Sequence, residues 1–503
     1  MHLPSRRHGP RFFGCGFHHP ICVAIAICTL LLTVCSASQL AAGQQAPNWD
    51  PPAIDVFPEH DEFASGQRPL PELIDIGRKL FRISFTRVDG AGRPNSTGDS
   101  KPTIRVTRDL PLFQRVAGPD ANSCAGCHNR PIVGGAGDFA TNVFVGAHFT
   151  DPPTTKIEAM VTNERHTLSI FGAGAIEMVA REMTSELQDQ RDGARMRAAA
   201  THGNERVRLE AKGVTFGYLT VYPDGSYSTD EIEGIDSDLV VKPFGVKGVA
   251  VSLREFTIFA LNQHHGIQPE ERFGWARTGV HDFDGDGVES EFTVGQVTAL
   301  TVYQASLPAP RQVQYYDPEQ VRLARRGEQR FEDAGCASCH RPSLPLRAAW
   351  FFEPSPFNRP GSIVPTDVAG QIALPIPVDT NGGVYRTPEG EVRVQAFSDL
   401  KRHVICDPDD PFYCNERLRQ DFVPTDQFLT SKLWNIGSSP NYGHRGDLTT
   451  VSEAIIHHSG EAKTARRAFL QMADEDKRAI IFFLKSLQID ESTESIKTGG
   501  AQP

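Results

Sequence analysis

Beyond its first 42 residues the chain has no uninterrupted apolar run near the roughly 18 residues that cross a bilayer, so no membrane span is expected in the mature protein. It also lacks a basic run. Three of its 51 Lys+Arg residues and none of its 62 Asp+Glu residues lie in that opening segment, so the remainder carries 48 basic groups against 62 acidic ones, a net charge of −14. This balance excludes nucleic acid and anionic membrane as natural partners and is compatible with a positively charged patch on a redox protein. Cysteine is sparse. Of ten, Cys15, Cys22, Cys28 and Cys35 belong to the opening segment, which leaves Cys124, Cys127, Cys336, Cys339, Cys406 and Cys414.

The opening segment is where apolar residues concentrate. Arg6, Arg7 and Arg11 precede the stretch ICVAIAICTLLLTVCSAS, and small residues follow at Ala37, Ser38, Ala41 and Ala42. A basic start, a greasy middle and a small-residue end make a secretory signal over residues 1–42, with a retained membrane anchor as the alternative. The expected location is the bacterial periplasm or the exterior.

Four of the remaining cysteines fall in two copies of one pattern: CAGCH (Cys124, Cys127, His128) and CASCH (Cys336, Cys339, His340). C-x-x-C-H is the attachment signature of c-type haem. Two thiols spaced by two residues reach the two vinyl groups of one porphyrin edge, and the next residue, histidine, falls under the iron. Redox dithiols or half of a zinc site are the competing readings. Two covalently bound haem c groups are expected. Ahead of the second copy, Asp317 as N-cap and Pro318 begin a helix on which Gly327 permits close approach of another helix. Its G-x-x-x-F-x-x-x-x-C-x-x-C-H plan resembles the first helix of class I cytochromes c. The lead-in to the first copy, GRKLFRISFTRVDG, is less regular.

Two further helices end in paired histidines. In TTVSEAIIHHSGE, Thr450 and Glu453 form a capping box and Gly460 a C-cap. Val451, Ala454, Ile455 and His458 share one face, so His458 continues the apolar stripe as distal ligand of the second haem, while His457 faces solvent or a propionate. In SLREFTIFALNQHHG, Ser252 and Glu255 again read as a capping box. His264 shares a stripe with Leu253, Phe256 and Ala260, but the helix is apolar nearly all round and His265 remains open. Either could be a ligand or acid–base group at the first haem; His148 and His166 are further candidates there. Asp282, Asp284 and Asp286 alternate before Gly287 in a pattern suited to calcium, although Thr293 stands where an EF-hand has its closing Glu; a solvated acidic loop is the alternative. Cys406 and Cys414 are expected to pair as a disulfide in an exported protein.

The expected fold is mainly α: two cytochrome c-like haem domains with long loops and a small β-hairpin insertion in the first. The division runs as signal peptide 1–42, extended arm 43–70, N-terminal haem domain 71–310, C-terminal haem domain 311–490 and flexible tail 491–503. The hairpin lies around Pro223-Asp224-Gly225, LPAPRQ (307–312) is the linker, and residues 345–430 are Pro- and Gly-rich loops around the second haem.

Taken together, NSCAGCHNRP, VKPFGVKGVAVSLREF, DGDGVESEFTVGQVTALTVYQA, RRGEQRFEDAGCASCHRP and GHRGDLTTVSEAIIHHSGEA resemble the dihaem oxidoreductase (putative peroxidase) family, related to bacterial dihaem cytochrome c peroxidases and the methylamine dehydrogenase maturation enzyme. Gly443-His444-Arg445-Gly446 departs from that family's H-D-G order. The resemblance implies a second haem that relays electrons and a first that meets hydrogen peroxide, with a small periplasmic cytochrome c or cupredoxin as donor. It also implies an acid–base group at the first haem, for which His264, His265 and Glu177 are candidates, and an aromatic bridge, for which Trp275 and Trp434 are. A plain dihaem electron carrier and a dihaem oxygenase or protein-modifying oxidase are the alternative functions.

Overall fold

Eight helices position the candidate site: α1 Leu70–Arg82, α2 Ala173–Thr201, α3 Leu253–Ala260, α4 Val294–Ser306, α5 Pro318–Asp333, α6 Val451–Ile456, α7 Lys463–Gln471 and α8 Asp474–Lys485. The computed structural model describes residues 49–92, 121–138, 140–144, 162–379, 382–416, 418–439 and 441–491. The predicted leader, His148 and the tail beyond residue 491 lie outside the described residues.

Two helix crossings dominate, and they repeat one solution. α1 enters with Pro71 in its first turn and buries Leu73, Gly77, Leu80 and Phe81, one face at helical spacing. That face lies on α4, whose N-terminus is closed by a reciprocal Thr293–Gln296 capping box. α5 enters with Asp317 accepting from the Glu319 and Gln320 amides and buries Ala324, Gly327 and Phe331 against α8. At each crossing a glycine lets the backbones meet. A Cβ on Gly77 would lie 2.6 Å from Tyr303 Cβ, and one on Gly327 2.7 Å from Phe483 Cβ. The expected close approach at Gly327 is therefore present, and Gly77 makes the same approach.

The hairpin around Pro223-Asp224-Gly225 forms, with Thr220 opposite Ser228 and Val221 opposite Tyr227. A strand that the sequence reading did not anticipate, Glu205–Ala211, pairs antiparallel with Val214–Val221 to complete a three-stranded sheet. Leu209, Phe216, Leu219 and Val221 enter the core.

Residues 345–430 depart from the expected loops. They contain short paired strands, among them Trp350–Glu353 with Ile372–Pro375 and Arg402–Val404 with Gln427–Leu429. Phe351, Leu374 and Val394 from this stretch join the larger hydrophobic core with Leu73, Ile176 and Leu300. A smaller core gathers Phe331, Phe397, Val451, Phe469 and Phe483 beside Cys336. The cores thus do not follow a boundary near residue 310. That linker is itself stitched down, because Arg311–Gln312 pairs with Leu487–Gln488. The arm expected over 43–70 ends in a helical turn, His60–Ala64, whose His60 and Phe63 are buried, with His60 Nδ1 3.1 Å from the Thr298 hydroxyl.

Candidate functional site

Both C-x-x-C-H stretches form a single tight turn. Cys124–Cys127 is one turn of helix capped by the Ser123 hydroxyl, and Cys336–Ser338 is a 3₁₀ turn after Gly335. None of the four cysteines is disulfide-bonded. Burial pushes the Cys124 thiol up to about 12 and the Cys336 thiol up to about 11. Redox-active dithiols have depressed values, so this environment disfavours that reading.

The histidine after each turn is held alike. His128 Nδ1 donates to the Gly135 carbonyl at 3.3 Å, and His340 Nδ1 donates to the Phe397 carbonyl at 3.1 Å. Burial lowers both imidazoles to about 4, so each is neutral at pH 7 with its Nε2 lone pair available to a metal. The surrounding aromatic cradle is duplicated too. Phe81 lies 6.0 Å from His128 and 5.3 Å from Tyr303; Phe331 lies 6.4 Å from His340 and 5.7 Å from Phe483. The G-x-x-x-F spacing shared by Gly77…Phe81 and Gly327…Phe331 is a sequence signal of this repeat, obscured by the long stretch between Phe81 and Cys124.

A cavity of about 460 Å³ opens over the second turn, lined by Cys336, Cys339, His340, Trp434 and His458 among others. Its size suits a large planar cofactor. His458, and not His457, reaches it. The capping box of Thr450 and Glu453 forms as expected, but α6 stops at Ile456, four residues before Gly460. His458 Nδ1 donates to the Ala454 carbonyl at 2.6 Å, again leaving Nε2, and its ring lies 6.3 Å from that of His340. Two imidazoles on opposite sides of one metal, with metal–nitrogen bonds near 2.0 Å, would have centroids about 6 Å apart. His457 instead stacks on Phe412 at 4.1 Å, against the loop closed by the Cys406–Cys414 disulfide.

The first turn is arranged differently. The helix carrying His264 and His265 ends in a π turn, Leu261–His265, which adds a residue and shifts the side-chain register. His265 is turned inward. Its Nδ1 donates to the Ala121 carbonyl at 2.6 Å, its Nε2 lies 3.7 Å from Cys124 Sγ, and burial lowers it to about 4. His264 lies near enough to His128 to help lower it, after burial itself. The stripe that put His264 beside Leu253 and Phe256 does not extend through this turn. Ser252 caps α3, but Glu255 accepts from Val251 N instead of closing the box on Ser252. His166 donates through Nε2 to the Gly137 carbonyl at 2.8 Å and reaches the same cavity from the first half.

Glu177 is fully buried. One oxygen accepts from Arg181 and the other from Leu253 N at 2.7 Å, so it ties α2 to the start of α3. Burial pushes its carboxyl up to about 7 against the pull of Arg181. Trp434 is buried at the cavity wall, where any side chain on Gly172 would strike its ring. Trp275 is 60 % exposed and stacks on His281, so it bridges nothing inside the protein. Asp282, Asp284 and Asp286 bring oxygens within 4.8 Å of one another. The loop's own amides already use two of them: Asp282 accepts from Gly285, Asp286 and Gly287, and Asp286 from Val288. The sequence reading missed His403, which lies at the cavity rim between Asp399 and Glu461.

No known protein family and no curated protein matches the chain. Among solved structures, the hydrazine synthase of Kuenenia stuttgartiensis, pressurised with xenon, superposes over 89 % of this chain and 98 % of its own. Identity is 13 % and the TM-score 0.35, a likeness too loose to carry an argument about this chain.

Proposed function

We propose that the chain is an exported c-type dihaem oxidoreductase, and specifically a peroxidase that reduces hydrogen peroxide with electrons from a small periplasmic cytochrome c or cupredoxin. The observation that carries this reading is the pair His340 and His458, 6.3 Å apart across a cavity whose rim holds Cys336 and Cys339. The residues fit the group: two uncrosslinked thiols, two neutral imidazoles with Nδ1 engaged, and a space of suitable size. When bound, haem supplies a one-electron iron couple and, where an axial position is open, a place for peroxide to meet the metal.

At the second turn, His340 and His458 would both hold the iron, which suits electron relay. At the first, His128 presents Nε2 while His265 is engaged by Ala121 and Cys124. His264 and His265 are the candidates for carrying a proton from one peroxide oxygen to the other. The balance is one peroxide, two protons and two electrons giving two waters: the O–O bond breaks and two one-electron donors are oxidised. Trp434, buried between the second turn and the Phe171–Gly172 corner, supports passage of electrons between the halves.

Intact mass of the processed protein should exceed the polypeptide by two haems; release of all pigment by acid–acetone sinks the proposal. His458→Ala should convert one haem from low to high spin. Peroxide should drive oxidation of reduced cytochrome c. Low-spin spectra in both redox states with no peroxide response would favour the electron carrier. Peroxide consumption without donor oxidation would favour the oxygenase or protein-modifying oxidase.

A further inference from the structure

His403 lies on the strand Arg402–Val404 at the rim of the second cavity. Both its ring nitrogens face carboxylates: Nδ1 lies 2.7 Å from Glu461 Oε2, and Nε2 lies 2.9 Å from Asp399 Oδ2. A neutral imidazole has one N–H. Two ionised carboxylates each receive a proton donor only from an imidazolium. The contacts themselves therefore make His403 a cation held at both ends.

Neither carboxylate is adrift. Asp399 Oδ1 accepts from Lys401 N at 3.0 Å, and Glu461 Oε1 accepts from Val404 N at 2.8 Å. Each also sits one short step from one of the two paired histidines. Asp399 lies two residues after Phe397, whose carbonyl orients His340. Glu461 lies three residues after His458, within the turn Gly460–Ala462. That turn is pressed onto the strand of His403. Gly460 has φ +55°, its missing side chain leaves room for the Val404 carbonyl, and the Ser459 hydroxyl donates to the Ile405 carbonyl at 2.8 Å.

We propose that His403 is a clasp: held between Asp399 and Glu461, it joins the segment that orients His340 to the segment that carries His458 and so fixes the separation of the two imidazoles. His403 is a positioning residue, since it acts on the metal only through its neighbours. The inference rests on reading this cavity as a haem site. It goes further by assigning the closed, six-coordinate state to a specific ionic link outside the ligand set.

The test compares wild type with His403→Gln, His403→Arg and Glu461→Gln, with Lys463→Gln as a control for the loss of a nearby ion pair to Asp407 and Asp409. Intact mass is read first; absence of two added haems in wild type overturns the haem reading and with it the clasp. With both haems present, ferric absorption and paramagnetic spectra are recorded while imidazole or cyanide is titrated. His403→Gln and Glu461→Gln should gain a high-spin fraction at the second haem. They should also bind the exogenous ligand about tenfold more readily, the equivalent of one charge-assisted hydrogen bond lost from the closed state. His403→Arg, which can reach both carboxylates, should restore the wild-type spectrum, and Lys463→Gln should leave it unchanged. If His403→Gln does not fold, Glu461→Gln decides, because its side chain is half-exposed. A folded Glu461→Gln or His403→Gln with wild-type spin state and ligand affinity refutes the clasp while leaving the haem reading intact. So does a shift in Lys463→Gln as large as theirs.

Discussion

Gly327→Ala tests whether the second helix crossing is as tight as its geometry requires. The new Cβ would fall 2.7 Å from Phe483 Cβ and closer still to the Ala479 carbonyl oxygen. Carbon atoms rest about 3.5–4.0 Å apart. The overlap is thus about 1 Å, and it is against backbone and a Cβ, which cannot swing aside. α5 and α8 would have to part along their contact, loosening Phe331 on Phe483 and the cradle around His340. Overpacking of this kind costs about 1–3 kcal/mol. Replacing glycine by alanine inside a helix returns about 1 kcal/mol. The net effect is a loss of up to about 2 kcal/mol. Gly193→Ala in α2 supplies the matched comparison, because its nearest neighbour is the end of the flexible Arg197 side chain at 3.4 Å. There only the propensity gain remains, about 1 kcal/mol in the opposite direction. Urea midpoints of the two variants, followed by far-ultraviolet circular dichroism, should bracket wild type. If Gly327→Ala shifts the midpoint upward together with Gly193→Ala, the reasoning about the crossing is wrong.

Glu177→Ala strands Arg181 and the Leu253 amide in the core and should destabilise the protein by about 3–5 kcal/mol, the cost of breaking a buried pair. A denaturation midpoint equal to wild type, with peroxide turnover lost, would instead give Glu177 a catalytic role. His403 supplies a pH prediction. Burial disfavours its charge, but hydrogen bonds to Asp399, Cys339 and Glu461 outweigh burial and hold it near 11, against 6.5 when unfolded. Because the folded value is raised, the stabilisation is complete below pH 6.5 and is lost as pH climbs toward 11. Between pH 7 and 9 wild type should lose up to about 1.4 kcal/mol per unit more than His403→Gln. Parallel stability curves over that range would show that the ring is not a folded-state cation.

What could be read from the chain beforehand was what lies close together along it. The C-x-x-C-H turns, the Asp317 and Thr450 caps and the glycine approach at Gly327 depend on neighbours within one or two helical turns. His458 was separable from His457 because an α-helical period runs almost to it. The same period failed at His264 and His265, where the π turn inserts a residue that no apolar spacing announces. Strands of three or four residues, such as Leu344–Leu346, are too short for a two-residue alternation to stand out from Pro- and Gly-rich surroundings. The Asp399–His403–Glu461 link is assembled by the meeting of a strand and a distant turn, which no local spacing describes.

The dipeptide seam between Arg311–Gln312 and Leu487–Gln488 also bears on how the molecule can be taken apart. Severing the chain just after Gln312 would leave each fragment with a raw selvedge, the leading piece holding Arg311–Gln312 and the trailing piece Leu487–Gln488. The leading fragment would also forfeit Phe351, Leu374 and Trp434, which are loaned to its interior from downstream. Each half by itself should therefore be a poor substitute for its counterpart in the whole, and the two are better studied by silencing one attachment turn at a time within the intact polypeptide.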